Sequence, residues 1–251
     1  MKDLPKSFLT RPLAHRGLHD VKDGRAENSP AAIEAAIAFG YGIEIDVQLS
    51  LDGKAMVFHD YHLARLTSET GAVAQISSDI LTQIKLTNCA DTIPTLAQII
   101  TQVRGQVPLL IEIKDQDGAM GKNVGALERA VANDLKNYQG DVAVMSFNPN
   151  AIASFSSLSP KTVVGLVTDR FLPSDWPTLH TATCSHLHGI RDFDRVNASF
   201  ISHNYSQLDH SAVLQLKTRG IPVLCWTVTS KTKEKLVRRK ADNITFEGYL
   251  P

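Results

Sequence analysis

The chain has 251 residues, 43% apolar and 21% charged, and its 26 basic side chains are balanced by 26 acidic ones. That much apolar material can fill one core of about 250 residues or two small ones, and it excludes a disordered acidic or basic chain. Zero formal net charge gives no global attraction to nucleic acid or anionic lipid, so no nucleic-acid partner is expected and any phosphate recognition must come from a local site.

The stretch from Met1 to Arg11 has no apolar run of export length, and no later run approaches the about 18 apolar residues that span a bilayer. A cytoplasmic chain without stable membrane insertion is therefore expected. Short β-rich runs then alternate with segments of helical period. Strands are predicted at Pro12–Ala14, Gly42–Leu49, Val107–Ile113, Val142–Phe147, Thr162–Thr168, Ser199–Ser202, Ile221–Val228 and Ile244–Phe246. Between the first two, Ser29 can cap a helix that Pro30 opens and Gly40 stops. Further helices are predicted over Thr95–Val103, Val124–Leu135, Pro149–Phe155, His210–Thr218 and Thr232–Arg239. Eight strands alternating with helices need right-handed crossovers and fit a TIM (β/α)₈ barrel, with an open doubly wound sheet as the alternative. Leu51-Asp52-Gly53-Lys54 reads as a hairpin turn into an extra strand, Ala55–Phe58, giving a small insertion after the second barrel strand. Only five residues follow Phe246, so the eighth helix should be absent or replaced by an N-terminal segment. No repeat or linker divides the chain, and residues 1–251 are expected to form one catalytic domain.

Polar residues collect where strands run out. His15-Arg16 follows the first strand, Glu44 and Asp46 lie in the second, His59-Asp60 ends the extra strand, and Glu112 and Lys114 close the third. In a barrel the C-terminal strand ends form one rim, so these groups can converge. Residues two apart in a strand share a face, which puts Glu44 and Asp46 side by side. Unpaired, two buried carboxylates would cost several kcal/mol each; a divalent cation or a basic partner removes that cost. With Glu112 as a third oxygen donor, Mg²⁺, Ca²⁺ or Mn²⁺ suits the set better than a thiol-preferring metal.

His15 and His59 can exchange protons near neutral pH, and Arg16 and Lys114 add the positive charge expected beside a phosphoryl group. Glu27-Asn28 precedes the first helix and serves either its terminus or the rim, and Trp226 either stacks on substrate or packs in its strand. The other histidines, His203 among them, are read as structural. Cys89, Cys184 and Cys225 lack the spacing of a zinc site or a disulfide framework. No P-loop or dinucleotide fingerprint is present, and the basic segment Lys231–Lys240, interrupted by Glu234, reads as a solvated helix face.

Taken in order, His15-Arg16-Gly17, Glu27-Asn28, Glu44-Ile45-Asp46-Val47, His59-Asp60 and Ile111-Glu112-Ile113-Lys114 resemble the successive motifs of the glycerophosphodiester phosphodiesterase family. The resemblance covers essentially the whole chain. It implies a TIM barrel with a small insertion, one divalent metal, and hydrolysis of a small glycerophosphodiester to glycerol 3-phosphate and an alcohol through a cyclic phosphate. By the same resemblance Glu44, Asp46 and Glu112 would bind the metal and His15 and His59 would be the acid and base. Arg16 and Lys114 would contact phosphate, with Glu27 a further polar or metal-adjacent contact. Thr229 and Glu247-Gly248 depart from the family wording, which bears on headgroup preference. A phospholipase acting on a lipid headgroup and a non-catalytic binding barrel are the alternatives.

Overall fold

The computed structural model describes residues 2–251, and among them nine strands form one sheet: β1 (Leu13–Ala14), β2 (Gly42–Leu49), β3 (Ala55–Val57), β4 (Leu109–Ile113), β5 (Val142–Ser146), β6 (Val163–Thr168), β7 (Phe200–Asn204), β8 (Val223–Val228) and β9 (Asn243–Phe246). The order is β1-β9-β8-β7-β6-β5-β4-β2-β3, and β1 also pairs with β2, Leu13 opposite Gly42 and Ala14 opposite Ile43. That second pairing closes eight parallel strands into a TIM (β/α)₈ barrel. Only β3 is antiparallel, folded back on β2 with Val47 opposite Val57.

Helices cross over between consecutive barrel strands. Ser29 accepts from the Ala32 N–H at 3.1 Å and Pro30 opens the helix Pro30–Ala38, as its residue types predict. Thr95 and Gln98 form a capping box at the head of Leu96–Val103. One crossover was not predicted: Thr181–His188 is helical, with His180 Nδ1 accepting from the Ala182 N–H at 3.2 Å. Its Thr-Ala-Thr-Cys-Ser stretch has weak intrinsic helix preference, so packing of the buried Cys184 and Leu187 stabilises it.

The strands sort their residues by the pleat. Ile43, Ile45 and Val47 of β2 and Ile111 and Ile113 of β4 face the helices. Leu13, Leu110, Ala143, Met145, Val163, Val167, Phe200 and Leu224 fill the barrel interior, with Met145 and Val167 nearest its mouth. A Cβ at Gly165 would lie 2.5 Å from the Phe200 ring, so glycine is what lets that ring cross the interior. Among the described residues no helix follows β9. A single helical turn, Ser7–Thr10, covers the bottom, with Phe8 fully buried and the Asn243 amide donating to the Phe8 and Arg11 carbonyls at 2.7 and 2.6 Å. The insertion carries its own small core of Met56, Phe58, Leu63, Val73, Leu81, Leu86 and Ile93. No helix among the described residues is long and apolar enough to cross a membrane.

Candidate active site

The loop after β1 is pinned in an unusual backbone. Arg16 and Asn28 both have positive φ, 55° and 59°, and the Asn28 N–H donates to the Arg16 carbonyl at 2.8 Å. Gly17, at φ 78°, lies so close to the helix Pro30–Ala38 that a Cβ would be 2.9 Å from Ala32. A left-handed arginine is strained, and it is held by its own N–H, which donates to Glu44 Oε2 at 3.0 Å. The Asn28 amide donates to Asp46 Oδ2 at 3.0 Å and its oxygen accepts from the Asp46 N–H at 3.3 Å.

Glu44 and Asp46 face inward from β2, and Asp46 is in register with Glu112 on β4. Their relative exposures are 2%, 1% and 7%, and one carboxylate oxygen from each lies within 4.8 Å of the others. Two cations partly balance three buried carboxylates. Lys114 Nζ is 2.9 Å from Asp46 Oδ1 and 2.7 Å from Glu112 Oε1, and Arg16 Nε is 3.2 Å from Asp46 Oδ2. Burial pushes the Asp46 carboxyl up, but the charges of Lys114, His59 and Arg16 outweigh it and hold Asp46 well below the usual carboxylate range. Glu44 goes the other way: burial, then the negative charges of Asp46 and Glu112, raise it well above that range. Burial likewise raises Glu112 despite Lys114. Three carboxylates face two permanent cations, and the oxygen-only donors fit a hard divalent cation.

Both sequence-predicted histidines reach this pocket, each with a carboxylate behind it. His15 Nδ1 is 2.6 Å from Glu247 Oε2, and its Nε2 is 4.0 Å from Glu44 Oε2. His59 Nδ1 is 2.6 Å from Asp60 Oδ1. Burial lowers both imidazoles below the usual histidine range, more than Glu247 and Asp46 respectively raise them. Arg65, from the insertion, ties the two sides together. Its guanidinium donates to Asp60 Oδ2 and Oδ1 at 2.6 and 2.8 Å and to Glu27 Oε2 and Oε1 at 2.8 Å each, while Glu27 Oε1 also accepts from Arg16 at 2.7 Å.

A pocket of about 90 Å³ is lined by His15, Arg16, Glu44, Asp46, His59, Glu112 and Lys114 on one side and by Met145, Phe147, Val167 and Trp226 on the other. It adjoins a larger cavity of about 490 Å³, which shares His59, Glu112, Lys114, Phe147 and Trp226 and adds Tyr61, Met120 and Trp176.

The sequence pattern of the glycerophosphoryl diester phosphodiesterase family matches residues 15–246, from His15 to the last barrel strand. The chain belongs to this family. It is 27% identical over 248 residues to a glycerophosphodiester phosphodiesterase of Caldanaerobacter subterraneus subsp. tengcongensis, covering 94% of this chain and 93% of that one. A Bacillus altitudinis glycerophosphodiester phosphodiesterase is 30% identical over 169 residues, 64% of this chain and 67% of that one. Among solved structures, an Oleispira antarctica phosphodiesterase in complex with the product sn-glycerol-3-phosphate superposes with a TM-score of 0.77 at 26% identity, covering 96% of this chain and 94% of that one.

Within this family frame, the structure brings His15, Arg16, Glu44, Asp46, His59, Glu112, Lys114 and Trp226 to one pocket. Glu27 stands one side chain back, between Arg16 and Arg65. Trp226 both packs and lines: its indole N–H donates to the Ser202 carbonyl at 3.0 Å while its ring borders the pocket. Sequence reasoning missed Arg65, Phe147 and Trp176 as site residues and saw Glu247 only as a departure from the family wording. Glu247 follows β9 directly, so the strand-end rule that singled out His15 would have found it. Arg65 and Trp176 lie in long loops, where no spacing signals them. Cys225 is a buried thiol that burial pushes up to about 12, in keeping with a packing role.

Proposed function

We infer that this chain hydrolyses small glycerophosphodiesters to glycerol 3-phosphate and an alcohol. The observation that carries this reading is the juxtaposition of three buried carboxylates, Glu44, Asp46 and Glu112, with two carboxylate-backed imidazoles in one pocket. The glycerol-3-phosphate bound to the Oleispira antarctica relative supports the substrate class.

Glu44, Asp46 and Glu112 would hold one Mg²⁺, Ca²⁺ or Mn²⁺, and their three buried oxygen donors within 4.8 Å of one another support that fit. Bound there, such a cation supplies positive charge for the phosphoryl oxygens. The protein's own groups do the rest. Glu247 and Asp60 each engage the Nδ1 of a histidine, which turns each Nε2 outward, and burial lowers both rings so that the unprotonated form of either is within reach near neutral pH. One imidazole, entering unprotonated, takes the proton of the glycerol hydroxyl as its oxygen attacks phosphorus; the other, entering as the imidazolium, gives its Nε2 proton to the departing alkoxide. Water then opens the cyclic glycerol phosphate with the two roles exchanged. Arg16 and Lys114, held at the pocket by the carboxylates, place two fixed cations where negative charge develops. The test is release of glycerol 3-phosphate from glycerophosphocholine and glycerophosphoethanolamine before and after EDTA, with each of the three metals restored separately. Release that requires added metal supports the reading; no release with any of them rejects it.

A further inference from the structure

The larger cavity shares a wall with the catalytic pocket, so the alcohol half of a diester can extend into it, and its chemistry differs from that of the rim. Phe147, Trp176 and Trp226 line it, and they form a packed aromatic set. The Phe147 ring centroid lies 5.1 Å from that of Trp176 and 5.6 Å from that of Trp226, and Phe171 buttresses Trp176 at 5.1 Å. Met120 and Tyr61 complete the apolar wall.

The polar atoms of the aromatic wall and of Asp115 are already engaged, whereas among the described residues nothing engages the His62 ring or His59 Nε2, which also line the cavity. The Trp226 indole N–H donates to the Ser202 carbonyl, and the Trp176 indole N–H donates to Asp169 Oδ2 at 3.2 Å. The Tyr61 hydroxyl donates to the Asp115 carbonyl at 2.7 Å. The Asp115 carboxylate accepts from the N–H groups of Asp117, Gly118 and Met120 and from the Asn148 amide. Asp60 is committed to His59 and Arg65. Against these aromatic faces a headgroup that must form hydrogen bonds, such as a primary ammonium or a polyol, would lose water without replacement. A quaternary ammonium needs none, and it is attracted to aromatic faces. The Asp169 carboxylate on the Trp176 N–H makes that indole more electron-rich, which favours a cation over a neutral group of the same shape.

Building on the diesterase reading above, we propose that Phe147, Trp176 and Trp226 form a headgroup subsite selective for quaternary-ammonium alcohols. The subsite holds the leaving alcohol while the glycerol phosphate occupies the smaller pocket.

The experiment compares kcat/KM, with the activating metal present, for three glycerol-phosphate diesters: choline, ethanolamine, and 3,3-dimethylbutanol, the uncharged carbon isostere of choline. Wild type is expected to favour choline over ethanolamine by about 10-fold or more and over the isostere by about 3-fold or more. Trp176→Ala should bring both ratios close to one, while Trp176→Phe, which keeps an aromatic face, should retain most of the preference. Equal rates on all three diesters in wild type, or a uniform fall on all three in Trp176→Ala, would overturn the proposal. Turnover of none of the three with any metal rejects the diesterase reading instead. A tetramethylammonium titration followed by tryptophan fluorescence then judges the subsite by itself: saturable quenching that Trp176→Ala abolishes supports it, and an unchanged signal overturns it.

Discussion

Around the barrel mouth, the arc from β9 through β1 and β2 to β4 presents Glu247, His15, Glu44, Asp46 and Glu112, whereas the arc from β5 through β6 to β8 presents Met145, Phe147, Val167 and Trp226. The same β/α unit builds both, and in both the inward positions alternate with outward aliphatics. The apolar arc has its rings packed and its indole N–H groups bonded. In the acidic arc Glu44 is pushed toward its protonated form, while Lys114 and Arg16 answer only part of the negative charge. The difference teaches where binding energy is held in reserve. A cation entering the acidic arc relieves repulsion already present in the fold, whereas a ligand entering the apolar arc gains only the contacts it makes itself.

Metal removal is the strongest way to break that contrast. EDTA treatment is expected to lower hydrolysis by at least ~10³-fold, with recovery on adding Mg²⁺, Ca²⁺ or Mn²⁺. Glu44→Gln should lose activity to a similar extent. The same variant should melt no lower than metal-free wild type, because it deletes a repelled buried charge, and its melting temperature should no longer rise on metal addition. A variant that melts well below the metal-free wild type would show that Glu44 is satisfied within the protein. Next in size are the proton-transfer groups. His15→Ala and His59→Ala should each stay folded by circular dichroism and lose at least about 100-fold in kcat/KM. Near-normal turnover of glycerophosphocholine by both would remove them from the mechanism.

Most of the acidic arc was legible in the sequence because its logic is local. Glu44 and Asp46 sit two apart in a strand, and the strand-end position of His15, Glu112 and Lys114 follows from the β/α alternation. The barrel itself was legible for the same reason, with its extra strand after β2. The apolar arc was not. Phe147 reads as one more residue of a buried strand, and Trp176 lies in a loop between β6 and the unpredicted helix Thr181–His188, so only the closed barrel places them together. Arg65 was equally hidden, since its partners Glu27 and Asp60 lie 38 and 5 residues away.

The apolar side carries a buried histidine, and it sharpens the comparison because it is kept neutral rather than charged. His203, on the outer face of β7 and 1% exposed, bonds through Nδ1 to Thr168 Oγ1 at 2.7 Å. Burial, aided by the neighbouring His210, pushes it down to about 4. Its folded value lies below the ordinary value of about 6.5, so its contribution to stability is complete above that pH and is lost as pH falls toward 4. Urea unfolding at pH 7.5 and pH 4.5 should show wild type losing about 2–3 kcal/mol more than His203→Gln between the two conditions. Equal losses would mean that His203 can charge without disturbing the fold.

The smallest effect is expected where the acidic arc meets the insertion. Arg65 touches neither His59 nor Arg16, but it holds Asp60, which engages His59, and Glu27, which engages Arg16. It is half-exposed, so the ion pairs alone add little to stability, and its effect is positional. Arg65→Met should lower kcat by about 10-fold with little change in KM, because His59 and Arg16 lose a shared reference point while the pocket keeps its shape. Arg65→Lys can reach one carboxylate but cannot fork to both, so it should recover only part of the loss. The pH profile discriminates a positional role from a structural one. Without Arg65, the Asp60 carboxyl, held near 2 by Arg65 and His59 against its burial, should rise, and with it the low-pH limb of kcat should move upward. An unchanged profile and kcat in Arg65→Met would mean that His59 and Arg16 are positioned by their own loops, and the two sides of the mouth would then be independent.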